Sequence, residues 1–191
     1  IRDVGYELYQ SMLEETISKI RGGQIDVLTS MDNQWSPQIN LGVSVLIPES
    51  YVADLDVRLG LYRRLSNLSK KVEFEGFAAE LIDRFGQLPP EVNTLLLVVR
   101  IKSVCKKAGI GKLDGGPRGA TIQFHNDKFI SPEGLVEFIK KQNGLAKIKD
   151  NKLIIKREWK KNSDKFKGAF SIARDLAEIA VSFEKNSSIE N

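Results

Sequence analysis

The sequence predicts an α+β fold. It reads as a helical lobe over about 1–109, a small αβ lobe with a mainly antiparallel sheet over about 110–160, and a long C-terminal helix over about 163–184 that packs back. Three observations predict this. Apolar residues recur at spacings of three and four through most of the first half. After Gly109 short apolar runs bounded by turn residues take over. From Ser163 the helical period returns. Residues 1–186 are expected to form a single domain, followed by a disordered tail over 186–191.

The elements follow in order. "GYELYQSMLEETISKIRGG" places Leu8, Met12 and Ile20 with Tyr9, Leu13 and Ile17 on a helical face, and Gly22-Gly23 closes it. "INLGVSVLIP" alternates Ile39, Leu41, Val43, Val45 and Ile47, which predicts a strand ended by Pro48. "ESYVADLDVRLGLYRRLSNLSK" returns to helix, with Val52, Leu55, Leu59 and Tyr62 as its stripe and Arg58, Arg63 and Arg64 flanking it. Asp54 and Asp56 fall at its first turn, where the helix dipole favours carboxylates; that role accounts for an Asp-x-Asp pair without a metal.

A helix carrying "AAELIDRF" stops at Gly86 before Pro89-Pro90. Gly76 costs about 1 kcal/mol relative to Ala inside a helix, which argues for a start beyond it. "PPEVNTLLLVVRIKSVCKKAG" has Pro90 and Glu91 at its start, Lys106 and Lys107 at its end, and Gly109 as its stop. Its stretch from Leu95 to Val99 is apolar all round, so this helix is expected to be buried. "ATIQFH" reads as a strand, "SPEGLVEFIKKQNG" as a Ser-capped helix with Pro132 at its start, and "LAKIKDNKLIIKREW" as a hairpin turning at Asp150-Asn151. The last helix carries Phe166, Phe170, Ala173, Ala177 and Ala180 along one seam.

With 191 residues, 41% hydrophobic and 28% charged, the chain has the composition of an ordinary soluble globular protein. Cys105 is the single cysteine, so no internal disulfide forms, and no Cys/His cluster offers a zinc site. No membrane span or leader is legible, and a cytoplasmic location is expected. Because the chain begins at Ile1, it is expected to be a piece of something longer.

Catalytic candidates are thin. "GIGK" and "DGGPRG" lack the spacing of a phosphate loop or a dinucleotide fingerprint, and "DGGPRG" between two apolar runs reads as a hairpin turn. His125 has no nucleophile in a recognised context beside it, and Cys105 reads as a small core residue. No enzymatic activity, cofactor or metal site is expected in these residues.

Charge is more informative. Residues 1–99 carry 9 Lys/Arg against 14 Asp/Glu, whereas residues 100–167 carry 18 against 7. Lys149, Lys152, Lys156, Arg157, Lys160 and Lys161 crowd the basic part, with Trp159 and Phe166 interleaved. This is either a solvated lysine-rich surface or a nucleic-acid footprint acting through residues 140–167.

The stretch "AAELIDRFGQLPPEV" poses a similar choice. Phe77, Ala78, Leu81, Ile82 and Phe85 share one side of a helix, and Glu80, Asp83, Arg84 and Gln87 the other. An i,i+4 pair of Glu80 with Arg84 contributes only about 0.3–0.5 kcal/mol and leaves Asp83 without a structural reason. A charged corner fixed by Gly86 and the prolines suits recognition of an arginine-bearing partner.

"GYELY", "LIPESYVADLDVRLGLYRRL" and "AELIDRFGQLP", in this order, resemble the C-terminal (TRCF) domain of the bacterial transcription-repair coupling factor family, Mfd. The resemblance runs from about Val4 to about Phe183. It implies a non-catalytic, autoinhibitory domain that docks on the N-terminal UvrB-like module of the same protein, masks recruitment of UvrA and restrains an ATP-dependent DNA translocase. In that family the parent protein releases RNA polymerase stalled at DNA lesions and recruits nucleotide excision repair. The family's docking motif falls on Glu80, Asp83 and Arg84. ATP and Mg²⁺ would serve the motor of the parent, none of whose helicase motifs occur in this chain; in that setting Lys149, Lys152, Lys156, Arg157, Lys160 and Lys161 would contact either nucleic acid or the motor.

Overall fold

The computed structural model describes residues 35–43 and 45–187. The predicted first helix lies outside the described residues, as does the end of the tail, 188–191. The chain divides into two compact units, one containing Val43–Leu96 and the other Ser36–Gly42 with residues 97–187.

The first unit contains helix α1 (Leu55–Ser66), helix α2 (Lys71–Phe85) and the opening turns of helix α3 (Pro90–Lys107). α1 starts because the Asp54 side chain accepts the Val57 N–H at 2.9 Å, which satisfies an orphan donor of the first turn. Arg58 Nη1 reaches back to Val52 O at 2.5 Å and fixes the chain entering the helix. The buried residues of α1 are Leu61, Tyr62 and Leu65; of the predicted stripe, Val52 (ahead of the helix) and Tyr62 are buried, Leu59 is half-buried and Leu55 is exposed.

The strand predicted over Ile39–Ile47 does not form over that range. Only Gln38–Asn40 forms a strand, β1. Gly42, at φ 65°, turns the chain, so the alternation beyond it serves burial without a ladder. Ile47 is buried, and its N–H is taken by the Tyr62 hydroxyl at 2.6 Å instead of a strand neighbour.

α2 begins at Lys71, not beyond Gly76. Glu73 supplies the reason: its Oε2 accepts the N–H groups of Ser69 and Lys70 at 2.8 and 2.9 Å, a strong start signal that outweighs one interior glycine. The helix buries Phe74, Phe77 and Leu81, but Ile82 stands half-exposed, so its expected place on the apolar side is overturned. Gly86, at φ 85°, ends the helix, and the Tyr51 hydroxyl lies 3.0 Å from Leu81 O and 2.9 Å from Gly86 O. One phenol thereby holds the last turn and the corner after it.

The second unit is built on five strands in the order β1-β2-β3-β5-β4. β2 (Ile110–Gly116) pairs parallel with β1 and antiparallel with β3 (Gly119–Phe124). β5 (Lys152–Lys156) pairs antiparallel with β3 and with β4 (Ala146–Lys149), which makes the sheet mainly antiparallel, as expected. The "DGGPRG" turn joins β2 to β3. Asp150 and Asn151, at φ 50° and 57°, form the two-residue turn of the β4–β5 hairpin.

Helix α4 (Pro132–Lys141) is capped by Ser131, whose hydroxyl accepts the Gly134 N–H at 3.2 Å. Helix α5 (Asn162–Ser187) packs against β2, β3 and α4. Leu113, Ile122, Leu153 and Ile155 of the sheet and Ala169, Ala173 and Leu176 of the helix are all essentially solvent-free and form the core of this unit. In α3, Leu95, Leu96, Val98 and Val99 are buried and only Leu97 of that run is exposed.

Candidate functional site

In the first unit, α1 and α2 assemble an ion-pair cluster around Glu80. Arg64, in the last turn of α1, donates both Nη atoms to the two Glu80 carboxylate oxygens, at 2.7 and 2.5 Å. Arg84, one turn on along α2, donates to Glu80 Oε1 at 3.0 Å. Each guanidinium also lies over an aromatic ring: Arg64 is 5.3 Å from the Phe77 centroid and Arg84 is 4.8 Å from that of Phe85. Phe85 in turn meets Tyr51 edge-on at 5.9 Å. The Arg64 fork, with a further contribution from Arg84, holds the Glu80 carboxyl down at about 2.

The structure therefore brings Glu80 and Arg84 together, as the four-residue spacing predicts, and adds Arg64, which sequence reasoning placed only on the flank of a helix. Asp83 is exposed on the same helix, and its side chain makes no hydrogen bond or ion pair among the described residues. Arg64 has one usable signal in the sequence: two arginines in the last turn of a helix leave a cation free to reach the next element. Its partner depends on how α1 and α2 pack.

The six basic candidates of the second unit separate into two groups. Lys149, Lys152 and Lys156 project from β4 and β5 and are exposed. Arg157 leaves the strand and donates to Gln142 Oε1 and to Lys156 O. Lys160 pairs with Glu158 at 3.7 Å, and Lys161 precedes α5, its N–H bonded to Asp164 at 3.0 Å. Trp159 and Phe166 are buried, and the Trp159 ring occupies the space beside Gly168. The interleaved aromatics are core, so the basic segment is not a stacking platform.

Strand register gathers residues that are distant in sequence. Residues facing away from the buried side of the sheet form rows, and one row crosses all five strands: Gln38, Lys112, Gln123, Lys152 and Lys149. The next comprises Asn40, Asp114, Thr121, Ile154 and Lys147. Lys112 is paired with Asp114 at 3.2 Å. His125 sits in a 3₁₀ turn after β3, its N–H bonded to Gly109 O at 2.8 Å. Among the described residues no group of three or more His, Cys, Asp or Glu side chains could hold a metal, and no helix is long and apolar enough to cross a membrane.

Fold and surface together define an α+β domain that displays a preformed ion-pair cluster and a basic sheet face. Residues 41–135 match the family described as TRCF domain. The chain is 46% identical over 164 residues to the transcription-repair-coupling factor of Rickettsia conorii, an alignment covering 85% of this chain and 14% of that protein. It is 32% identical over 139 residues to the factor of Escherichia coli K12, covering 73% of this chain and 12% of the other. A crystal structure of the C-terminal domain of transcription-repair coupling factor shares the fold, with a TM-score of 0.65 at 22% identity, over 80% of this chain and 99% of that one. The chain belongs to the TRCF domain family and corresponds to the C-terminal domain of a transcription-repair coupling factor. It spans about one seventh of the length of the Rickettsia conorii factor.

Proposed function

We propose that this chain is the autoinhibitory domain of a cytoplasmic transcription-repair coupling factor. In this reading it has no catalytic activity of its own. It docks on the N-terminal UvrB-like module of the same protein, masks the surface that recruits UvrA, and restrains the DNA translocase. The parent acts on RNA polymerase stalled at DNA lesions, and ATP and Mg²⁺ serve its motor, outside this chain.

The Glu80 cluster is the observation that carries the reading. Glu80 is occupied by Arg64 and Arg84, so its main role is to hold two guanidinium groups in fixed orientation. Asp83, without an internal partner among the described residues, is the carboxylate placed to accept an arginine of the module. Tyr51 and Gly86 hold the corner on which these groups stand. An intramolecular contact of this kind can be weak and remain closed, because tethering supplies an effective concentration in the millimolar range.

The test is UvrA binding by the full-length parent, comparing wild type with a Glu80→Ala, Asp83→Ala, Arg84→Ala variant whose circular dichroism is unchanged. Tighter UvrA binding by the variant is the expected result, and Asp83→Asn alone reproduces much of it. Unchanged binding would leave these charges a solvated face. Binding by the wild type should also rise with salt, since exposed charges are screened over about 8 Å at physiological ionic strength.

A further inference from the structure

We infer that the open face of the five-stranded sheet is a binding surface for the phosphodiester backbone of duplex DNA. The second unit alone carries it. Lys147, Lys149, Lys152 and Lys156 all project from the β4–β5 hairpin on this face, and none makes an ion pair among the described residues. Lys149 stands directly opposite Lys152 in the register. Like charges placed opposite one another destabilise a strand pair, so stability of the isolated hairpin does not explain the arrangement. Lysines on an edge strand guard against edge-to-edge pairing, which accounts for Lys147 and Lys149 on β4. It does not account for Lys152 and Lys156, because β5 lies between β3 and β4. A polyanion laid along the face relieves the repulsion and uses all four charges.

The remaining outward residues narrow the polyanion. With strands about 4.8 Å apart, the row from Gln38 to Lys149 spans about 19 Å; Gln38 ends it, and Gln123, between Lys112 and Lys152, donates one amide N–H to Asp127 at 3.1 Å and keeps the other. Beside it an open cleft of about 1090 Å³ is lined by Gly116, Gly119, Thr121, Ile154, Lys156 and Arg118, among others. A Cβ added at Gly116 would meet no atom within 4 Å. The outward rows contain no aromatic side chain, so bases of a single strand have nothing to stack on. Ile154, with the exposed Leu145 at the rim of the cleft, makes up the large apolar surface of this face, too little for the buried anchor of a protein interface. Lysine point charges that contact phosphates without reading bases fit duplex DNA.

The test is fluorescence anisotropy of a labelled 30-base-pair duplex titrated with the 191-residue chain at several salt concentrations. A Lys149→Gln, Lys152→Gln variant should weaken binding about tenfold and reduce the slope of log K against log salt by about 2, the loss of two phosphate contacts. The charge-matched Lys160→Gln, Lys161→Gln variant should change it far less. Gly116→Lys should tighten binding and Gly116→Glu weaken it, opposite shifts that impaired folding would not produce. Absence of duplex binding at 50 mM salt, equal losses from the two lysine pairs, tighter binding to a single strand of equal length, or displacement by polyglutamate at equal charge would each overturn the inference.

Discussion

Glu80 shows how one side chain acquires a function from its neighbours. Its carboxyl is held at about 2, first by the hydrogen bonds of Arg64 and then by the one from Arg84. A depressed carboxylate contributes stability that is fully present above the unfolded value of about 4.3 and is lost as pH falls through the folded value. For Glu80 that window runs from about 4.3 down to about 2. Titration of the Glu80 side-chain carboxyl by ¹³C NMR should give a midpoint near 2 in the wild type. Arg64→Met should move the midpoint up toward the ordinary range, and Arg84→Met should move it less, since Arg84 donates a single bond. Equal shifts would mean that the bidentate fork is not the dominant partner. The pairing with Arg84 lies within one helical turn and is legible from spacing; the pairing with Arg64 crosses 16 residues and is not.

Among the elements, α2 shows which local signals compete. An interior glycine argues for a later start, yet Glu73 draws the start back to Lys71 by accepting two backbone N–H groups ahead of the helix. Those bonds also hold the Glu73 carboxyl below its ordinary range. Gly76 is left as an exposed interior residue with open space where a Cβ would stand. Gly76→Ala should therefore stabilise the protein by about 0.5–1 kcal/mol in urea denaturation, with the m-value unchanged. A loss of stability would show that this position needs glycine for a reason other than helix propensity. The β1 segment went the other way: alternation through Ile47 is real burial periodicity, but Gly42 breaks the ladder after three residues.

Across the whole chain, burial decides which reactive-looking groups are inert. Cys105 is solvent-free, and burial pushes its thiol well above the ordinary range, so the thiolate that reacts with electrophiles is suppressed. Reaction with a disulfide reagent such as Ellman's should be slow in the native protein and should follow the unfolding of the second unit as urea is raised. Rapid labelling without urea would mean that α3 opens locally at Cys105. Trp159 follows the same logic: its ring fills the space beside Gly168, and the basic residues around it are left to the surface.

What the sequence determined by itself is whatever chemistry acts within about one helical turn or one hairpin. The caps at Asp54 and Ser131, the stop at Gly86, the turn at Asp150-Asn151 and the Glu80–Arg84 pair are of this kind. Each depends on groups a few residues apart, whose geometry the local backbone sets. Only the tertiary structure decided that Arg64 grips Glu80, that Ile82 faces outward, that Trp159 is core, and that five strands align Lys112, Lys152 and Lys149 in one row. These outcomes depend on which distant segments pack together, and a packing choice is made by the summed burial of the whole unit rather than by any spacing along the chain.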